Sequence, residues 1–412
     1  MTTLQPQGPK PETHRALTLH AYNQPLTLTT LPLPRATTGS AIVRILAASI
    51  VPYMAEILRG QRAGYALSLP LTPGNSAIGR IHATGDDAVA LQPGQLVFID
   101  ITIRARDDPT VSMLAGVHGG GTAAAQRLMD GPWRHATYAE YARFPLENLF
   151  ALDEGALLQE QWRQQQQQGQ QQGLGQGLGL GYSVADLCLL SVCLVPFGGL
   201  AEVEVKPGEV VIVGPATGRY GGAAVAVALA MGATVVAVGR NRAVLAAMVR
   251  TYAHTHPGRL RTVMMEHEGD VQRRSEALRA AAAAGRNSRA GGADVYIDFS
   301  PPAADGSLLA AAVGALRPFG RCVIMGGSTG QINVPYLEVM FKSLRLQGRF
   351  MYDRQHVLRL VQMVESGLLR LGEAIGVDHV EEFGLESATE ALEAAARLSG
   401  WGGHVVLRPC RD

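Results

Sequence analysis

The stretch "VVIVGPATGRYGGAAVAVALAMGATVVAVGR", Val210–Arg240, decides the fold. An apolar β-branched run meets a glycine-rich turn, then an alanine-rich segment, then a second apolar run. β-Branched residues suit a buried strand, and alanine suits a helix packed closely on it. Strand, turn, helix and strand in that order make the βαβ unit of a parallel sheet. The turn residues Ala216, Thr217, Gly218, Arg219, Tyr220 and Gly221 follow a strand and open a helix, the context in which such a turn holds a dinucleotide. Gly218 keeps a Cβ out of the path of a pyrophosphate, and Gly221 lets the helix approach the strand. The phosphate charge then sits among the N–H groups of a helix N-terminus. Ala216 stands where the usual pattern has its first glycine.

The second strand ends in Gly239, Arg240, Asn241 and Arg242. A site that prefers NAD carries Asp or Glu here, to grip the ribose 2′-hydroxyl. No acid stands at this point, and two guanidinium groups are available as charge-assisted donors to a 2′-phosphate. The expected cofactor is therefore NADP(H); the alternative is that both arginines are solvated loop charges.

Working outward, strands and helices alternate from about Val210 to Gly327. "ADVYIDFS" reads as a buried strand, "DGSLLAAAVGALRP" as a helix and "GRCVIMGG" as another strand. The expected class is α/β with a doubly wound parallel sheet. "SVADLCLLSVCLVPFGGL" reads as a buried helix, capped by Ser183 and ended by Gly198 and Gly199. Residues before about Leu152 read as strands and turns. "QEQWRQQQQQGQQQGLGQGLGLGY" is Gln/Gly-rich low complexity and is expected to be a disordered insertion. "QHVLRLVQMVESGLL" and "ESATEALEAAARL" have helical apolar spacing, and "GGHVVLRP" closes the chain with a short strand.

The 412-residue length favours two domains. A net charge of +1 gives no ground for nucleic acid or an anionic membrane as partner. No secretory signal and no uninterrupted bilayer-spanning run is read in the sequence. Cys188, Cys193, Cys322 and Cys410 form no C-x-x-C pair, which speaks against a disulfide framework or a Cys-rich zinc site and for a reducing, cytoplasmic setting.

The order of parts resembles the medium-chain dehydrogenase/reductase superfamily. "LTPGNSAIGRI" (71–81) is similar to its P-G-H-E-x-x-G-x-V segment, "LQPGQLVF" to its P-G-D-R-V turn, and "VKPGEVVIV" to its lead into the first cofactor-domain strand. "IDFSP" and "GRCVIMGG" are similar to its fourth and fifth strands. The resemblance covers most of the chain, apart from the first residues and the Gln-rich insertion. It implies a GroES-like catalytic domain over 12–182 (with the insertion at 159–181), a Rossmann cofactor domain over 183–340, and a return to the catalytic domain over 341–412. It also implies that Ser300, Gly326 and Gly327 line the cofactor, and that a homodimer forms near "GQINVPYLEVM".

The departures from the family pattern are informative. Zinc-dependent members carry His after the Pro-Gly, where this chain has Asn75, with Ser76 in place of Glu. "AASIVPY" has no Cys, and the four-Cys lobe is replaced by "RARDDPTVSMLAGVHGGGTAAAQRLMDGPW". No zinc is expected, since zinc takes thiolate, imidazole or carboxylate. "SIVPYMAEILRGQRAGYALSLPLTPGN" resembles the 2-enoyl thioester reductases, which puts Tyr65 near their proton-donating tyrosine and Tyr53 where they have Ser. Tyr65 and Tyr53 are either acids or packing residues. Asn75 either orients a carbonyl or ribose, or satisfies backbone groups in a turn. "VHGGGTA" lacks a partner G-x-S-x-G elbow and reads as a flexible loop; "HTH" (254–256) lacks a third metal ligand.

The leading expectation is a zinc-independent, NADPH-dependent reductase of a quinone or activated C=C bond, acting on a small molecule. A non-redox protein that keeps the NADPH fold is the alternative. A zinc-type alcohol dehydrogenase is disfavoured by the missing ligands.

Overall fold

A computed structural model describes residues 12–158, 179–265, 270–284 and 291–410. Most of the Gln-rich stretch, 159–178, lies outside the described residues. The chain divides into two compact units. One runs to Glu154 and resumes over Val380–Arg397 and His404–Asp412; the other is Gly155–His379 with Leu398–Gly403.

In the first unit, the ten-residue strand Ser40–Ser49 is the backbone of a seven-stranded sheet. It pairs antiparallel with Ala77–Thr84, with Tyr141–Pro145 and with Gly403–Leu407. Nine of its ten residues are buried, as both faces of the strand are covered. A hairpin of Thr13–Thr18 and Thr27–Pro32 lies apart from that sheet.

The second unit has a six-stranded, all-parallel sheet. Its order is Leu260–Met264, Thr234–Gly239, Val210–Gly214, Ala293–Asp298, Leu316–Ile324, Arg345–Gly348. In chain order that is 3-2-1-4-5-6, the doubly wound arrangement in which ligands bind beyond the C-terminal ends of the two central strands. All five residues of Val210–Gly214 are buried. The helix Arg219–Ala230 buries nine Gly, Ala, Val and Leu residues in succession, Gly221 to Leu229, so small residues set its close approach to the sheet.

Three expectations change. The boundary falls after Glu154 rather than at 182, and the return starts at Val380 rather than 341. The physical reason is that Arg345–Gly348 hydrogen-bonds to Leu316–Ile324 as the sixth strand, while helix Arg354–Glu365 packs on helix Leu190–Glu202. Gly198 and Gly199 do not end a helix; they lie inside Leu190–Glu202. A Cβ on Gly198 would meet the Met351 carbonyl oxygen at 2.8 Å, and one on Gly199 the Met325 sulfur. Both glycines therefore serve close packing. Finally, Val184–Glu202 does have the length and hydropathy of a bilayer span, but 72% of it is buried in the unit, where it is a core helix. Ser183 caps its first turn reciprocally with Asp186, as read from the sequence.

Candidate functional site

The turn after Val210–Gly214 behaves as its glycines imply. Gly218 is the N-cap of helix Arg219–Ala230, and a Cβ built on it meets nothing within 4 Å. Gly221 is the opposite case: its Cβ would lie 1.9 Å from the Pro215 carbonyl oxygen. Gly218 thus leaves open space beside the helix N-terminus, where N–H groups lack intrahelical partners. Ala216, at the first-glycine position, is fully buried and donates its N–H to the Val238 carbonyl at 2.7 Å, tying the turn to the neighbouring strand. The Thr217 carbonyl accepts from Trp401 N–H at 3.0 Å. Gly239 faces Thr217 so closely that a Cβ would meet its methyl at 2.5 Å. Tyr220 stacks on Phe299, and Arg219 is buried at the helix start.

On the other side of the switch point, Asp298 ends the strand Ala293–Asp298 with its carboxylate buried. Tyr296 and Ser300 hydroxyls donate to its Oδ1 at 2.7 and 2.6 Å, and Ser300 N–H donates to Oδ2 at 3.1 Å. This locks the Ser300 turn. Gly326 approaches it so closely that a Cβ would meet Ser300 nitrogen at 2.6 Å, and Gly327 N–H donates to the Ser300 carbonyl at 2.9 Å. Ser300, Gly326 and Gly327 are thus brought together.

A cavity of about 310 Å³ opens over the strand ends, lined by Pro215, Arg240, Met265, Arg274 and the Ser300–Leu308 turn. Arg240 is exposed and makes no hydrogen bond or ion pair among the described residues. Asn241 caps helix Arg242–Tyr252 by accepting from Val244 N–H at 3.2 Å, and Arg242 does not line the cavity. The second guanidinium there is Arg274, which donates to Ser307 Oγ at 2.8 Å. Sequence reasoning missed it because its helix, Val271–Ala283, has no glycine or motif to flag it. Asp305 also lines the cavity, its carboxyl held below its ordinary value by the Ser307 hydroxyl and N–H.

In the first unit, Tyr53 and Tyr65 come together with ring centroids 6.0 Å apart. The Arg62 guanidinium lies 3.8 Å from the Tyr53 ring centroid and 5.0 Å from that of Tyr65. Burial opposes the Arg62 charge, but its contacts with Tyr65, Tyr53 and Glu56 outweigh it and keep its pKa raised. His118 packs edge-on to Tyr65 at 5.0 Å and accepts Gly120 N–H on Nδ1 at 2.7 Å. Gly119 N–H donates to the Ala66 carbonyl, so the HGGG segment is tied to the Tyr65 loop. Neither Arg62 nor His118 was singled out from sequence as part of this group. Asn75 is not a member of the group by contact: its Oδ1 accepts Ser76 N–H at 2.7 Å, and its backbone pairs with the Thr137 hydroxyl.

As for zinc, no group of three or more His, Cys, Asp or Glu side chains converges among the described residues. Asn75 offers an amide oxygen already holding a backbone N–H, so the donors at this point do not fit the ion. His254 and His256 sit in a polar turn, His256 against Tyr252.

The fold and the open glycine turn define a two-unit oxidoreductase of the pyridine-nucleotide type. Residues 37–154 match the "Alcohol dehydrogenase GroES-like domain" family and residues 221–366 the "Zinc-binding dehydrogenase" family. The chain belongs to the medium-chain dehydrogenase/reductase superfamily. No curated protein matches it. Among solved structures it is similar to an NAD-dependent alcohol dehydrogenase (20% identity, 96% of this chain and 100% of that one, TM-score 0.69). A short chain alcohol dehydrogenase from E. coli, solved with NADH, is similar at 16% identity over 97% and 100% of the two chains, TM-score 0.69. A thermostable alcohol dehydrogenase from Pyrobaculum aerophilum, solved with cobalt and zinc, is similar at 19% identity over 96% and 100%, TM-score 0.65.

Proposed function

We propose that the protein is a zinc-independent, NADPH-dependent reductase of a quinone or an activated C=C bond. The observation that carries the cofactor choice is the pair of guanidiniums, Arg240 and Arg274, lining one cavity at the strand ends. A 2′-phosphate there gains charge-assisted donors, and the acid that would grip a ribose hydroxyl is absent from the end of Thr234–Gly239 among the described residues. Gly218 leaves the helix N-terminus open to the diphosphate.

When bound, NADPH supplies a hydride. In a conjugated substrate the β-carbon accepts it, the C=C electron pair moves toward the carbonyl, and charge collects on that oxygen. The oxygen then needs hydrogen-bond donors and the α-carbon needs a proton. Tyr53, Arg62 and Tyr65 form a cationic, hydroxyl-bearing group suited to hold such an oxygen. Tyr65 is the proton donor in this reading. Asn75 serves the fold of its turn, which favours a donor set built on the tyrosines.

The substrate is a small molecule and the setting cytoplasmic, consistent with four buried free cysteines. A homodimer is part of the proposal: helix Tyr336–Phe341 buries none of its residues, and Tyr336 and Phe341 are 78% and 76% exposed beside the edge strand Arg345–Gly348.

The test is NADPH consumption over a panel of quinones, enones and enoyl thioesters, with metal analysis of the chelator-washed protein. Turnover without stoichiometric zinc is expected, and single-turnover Tyr65→Phe should slow protonation. Tight NADPH binding with no turnover would instead favour the non-redox reading. Zinc retained with alcohol oxidation would overturn the proposal.

A further inference from the structure

The first unit holds a second cleft. Its volume is about 340 Å³, the size of a small-ligand pocket, and its walls come from the Thr27–Pro32 hairpin strand, from residues 132–139 and from the Tyr141–Pro145 strand. The floor is apolar, with Ala136, Ala139 and Ala142 all nearly inaccessible. No Asp or Glu lines it.

Two imidazoles face this space. His14 is 7% exposed, and its Nδ1 accepts the Tyr141 N–H at 3.4 Å. His135 stands at the mouth, and its Nδ1 accepts the Thr72 N–H at 3.1 Å. A neutral imidazole that accepts on Nδ1 carries its proton on Nε2. Each ring thus offers one Nε2–H donor, and neither Nε2 has a partner among the described residues. Two cations complete the rim. Arg35 is exposed and makes no ion pair among the described residues. Arg143 lies over Trp133 and donates to the Pro132 carbonyl at 3.2 Å, with no carboxylate partner among the described residues.

The acid that acts on His14 is already engaged: both oxygens of Glu140 accept from Arg15, at 2.8 Å each. Burial lowers the proton affinity of His14, Glu140 partly restores it, and His135 lowers it again. An added cation finds no carboxylate in the lining, and two imidazoles with no third donor do not make a metal site.

We propose that this cleft binds a small organic carboxylate with a compact apolar body. The head group takes the Nε2–H donors of His14 and His135 and the charges of Arg35 and Arg143. The body lies on the alanine floor.

Benzoate and 3-methylbutanoate are the probes, titrated calorimetrically into the full-length protein, with benzyl alcohol as the neutral counterpart of benzoate. At least one acid should bind saturably, and benzyl alcohol much more weakly. Arg35→Gln and His135→Gln, both at the exposed mouth, should each weaken the acid roughly three- to tenfold with NADPH affinity unchanged, and Arg35→Gln should leave the melting temperature unchanged as well. Three outcomes would overturn the assignment: neither acid binding saturably, benzyl alcohol matching benzoate, or both variants binding as the parent protein does.

Discussion

Gly218 and Gly221 lie three residues apart in one turn, and the geometry assigns them separable jobs. Consider alanine at each. At Gly221 the new methyl falls 1.9 Å from the Pro215 carbonyl oxygen and 2.8 Å from Ala216 Cα. That is roughly 1 Å or more inside an ordinary contact, and the obstacle is backbone, which cannot rotate away. Overpacking of this kind costs about 1–3 kcal/mol, and this case belongs at the upper end. For a unit of this size each kcal/mol lowers Tm by about 2–4 °C, so Gly221→Ala should fall by about 6–12 °C. At Gly218 the methyl meets nothing within 4 Å, and φ is −84°, which any residue adopts. Alanine is a poorer N-cap by about 0.5–1 kcal/mol, but restricting the unfolded chain returns about 0.4–1 kcal/mol. Gly218→Ala should therefore melt with the parent. Its methyl instead occupies the space we assign to a diphosphate, and NADPH binding should weaken by about 2 kcal/mol, roughly thirtyfold in Kd. Thermal melts without cofactor and fluorescence titration with NADPH read the two effects apart. A Gly218→Ala protein that binds NADPH normally would refute the cradle, and an unshifted Gly221→Ala melt would refute the packing argument.

Two further outcomes follow from the same surfaces. Arg240→Gln should weaken NADPH about tenfold at low salt and leave NADH unchanged, because only the 2′-phosphate engages the charge; equal losses for both cofactors in titrations would place Arg240 elsewhere. Phe341→Glu, a change at a largely exposed position of helix Tyr336–Phe341, should convert a dimer to monomer in sedimentation velocity without lowering the melting temperature of the isolated chain; a species already monomeric before substitution would remove the dimer from the proposal.

The sheet was legible because its signals are local. Val210–Val213 and Ala293–Ile297 are short β-branched apolar runs of the kind a covered strand uses, and the glycines between strand and helix report contacts one turn away. What escaped was non-local. Gly198 and Gly199 look like a helix terminator until Met351, Tyr352 and Met325 are seen pressed against them, from segments more than a hundred residues on. Arg345–Gly348 is a sixth strand with little apolar character, because it lies at the sheet edge and only its pairing with Leu316–Ile324 defines it. In the site, Arg240 could be read from its position after a strand, whereas Arg274 reaches the same cavity from an otherwise featureless helix. Arg62 likewise gains meaning only from the two rings it lies against.

The family match and the proposed reading without zinc pull in different directions, and the proposal rests on the donor chemistry. A family model describes a backbone and the packing that supports it; this chain satisfies both, down to the glycine that admits the cofactor helix. Zinc depends on something narrower, a set of anionic or imidazole donors brought to one point. Restoring a histidine alone would not rebuild that set, since Asn75 Oδ1 and the Thr137 hydroxyl now hold the turn through its own backbone. Asn75→His should therefore disturb the turn before it recruits a metal, with a lowered Tm and no gain in bound zinc. A stable Asn75→His protein that takes up one zinc per chain would show that the remaining ligands are in place, and the zinc-free reading would fall with it.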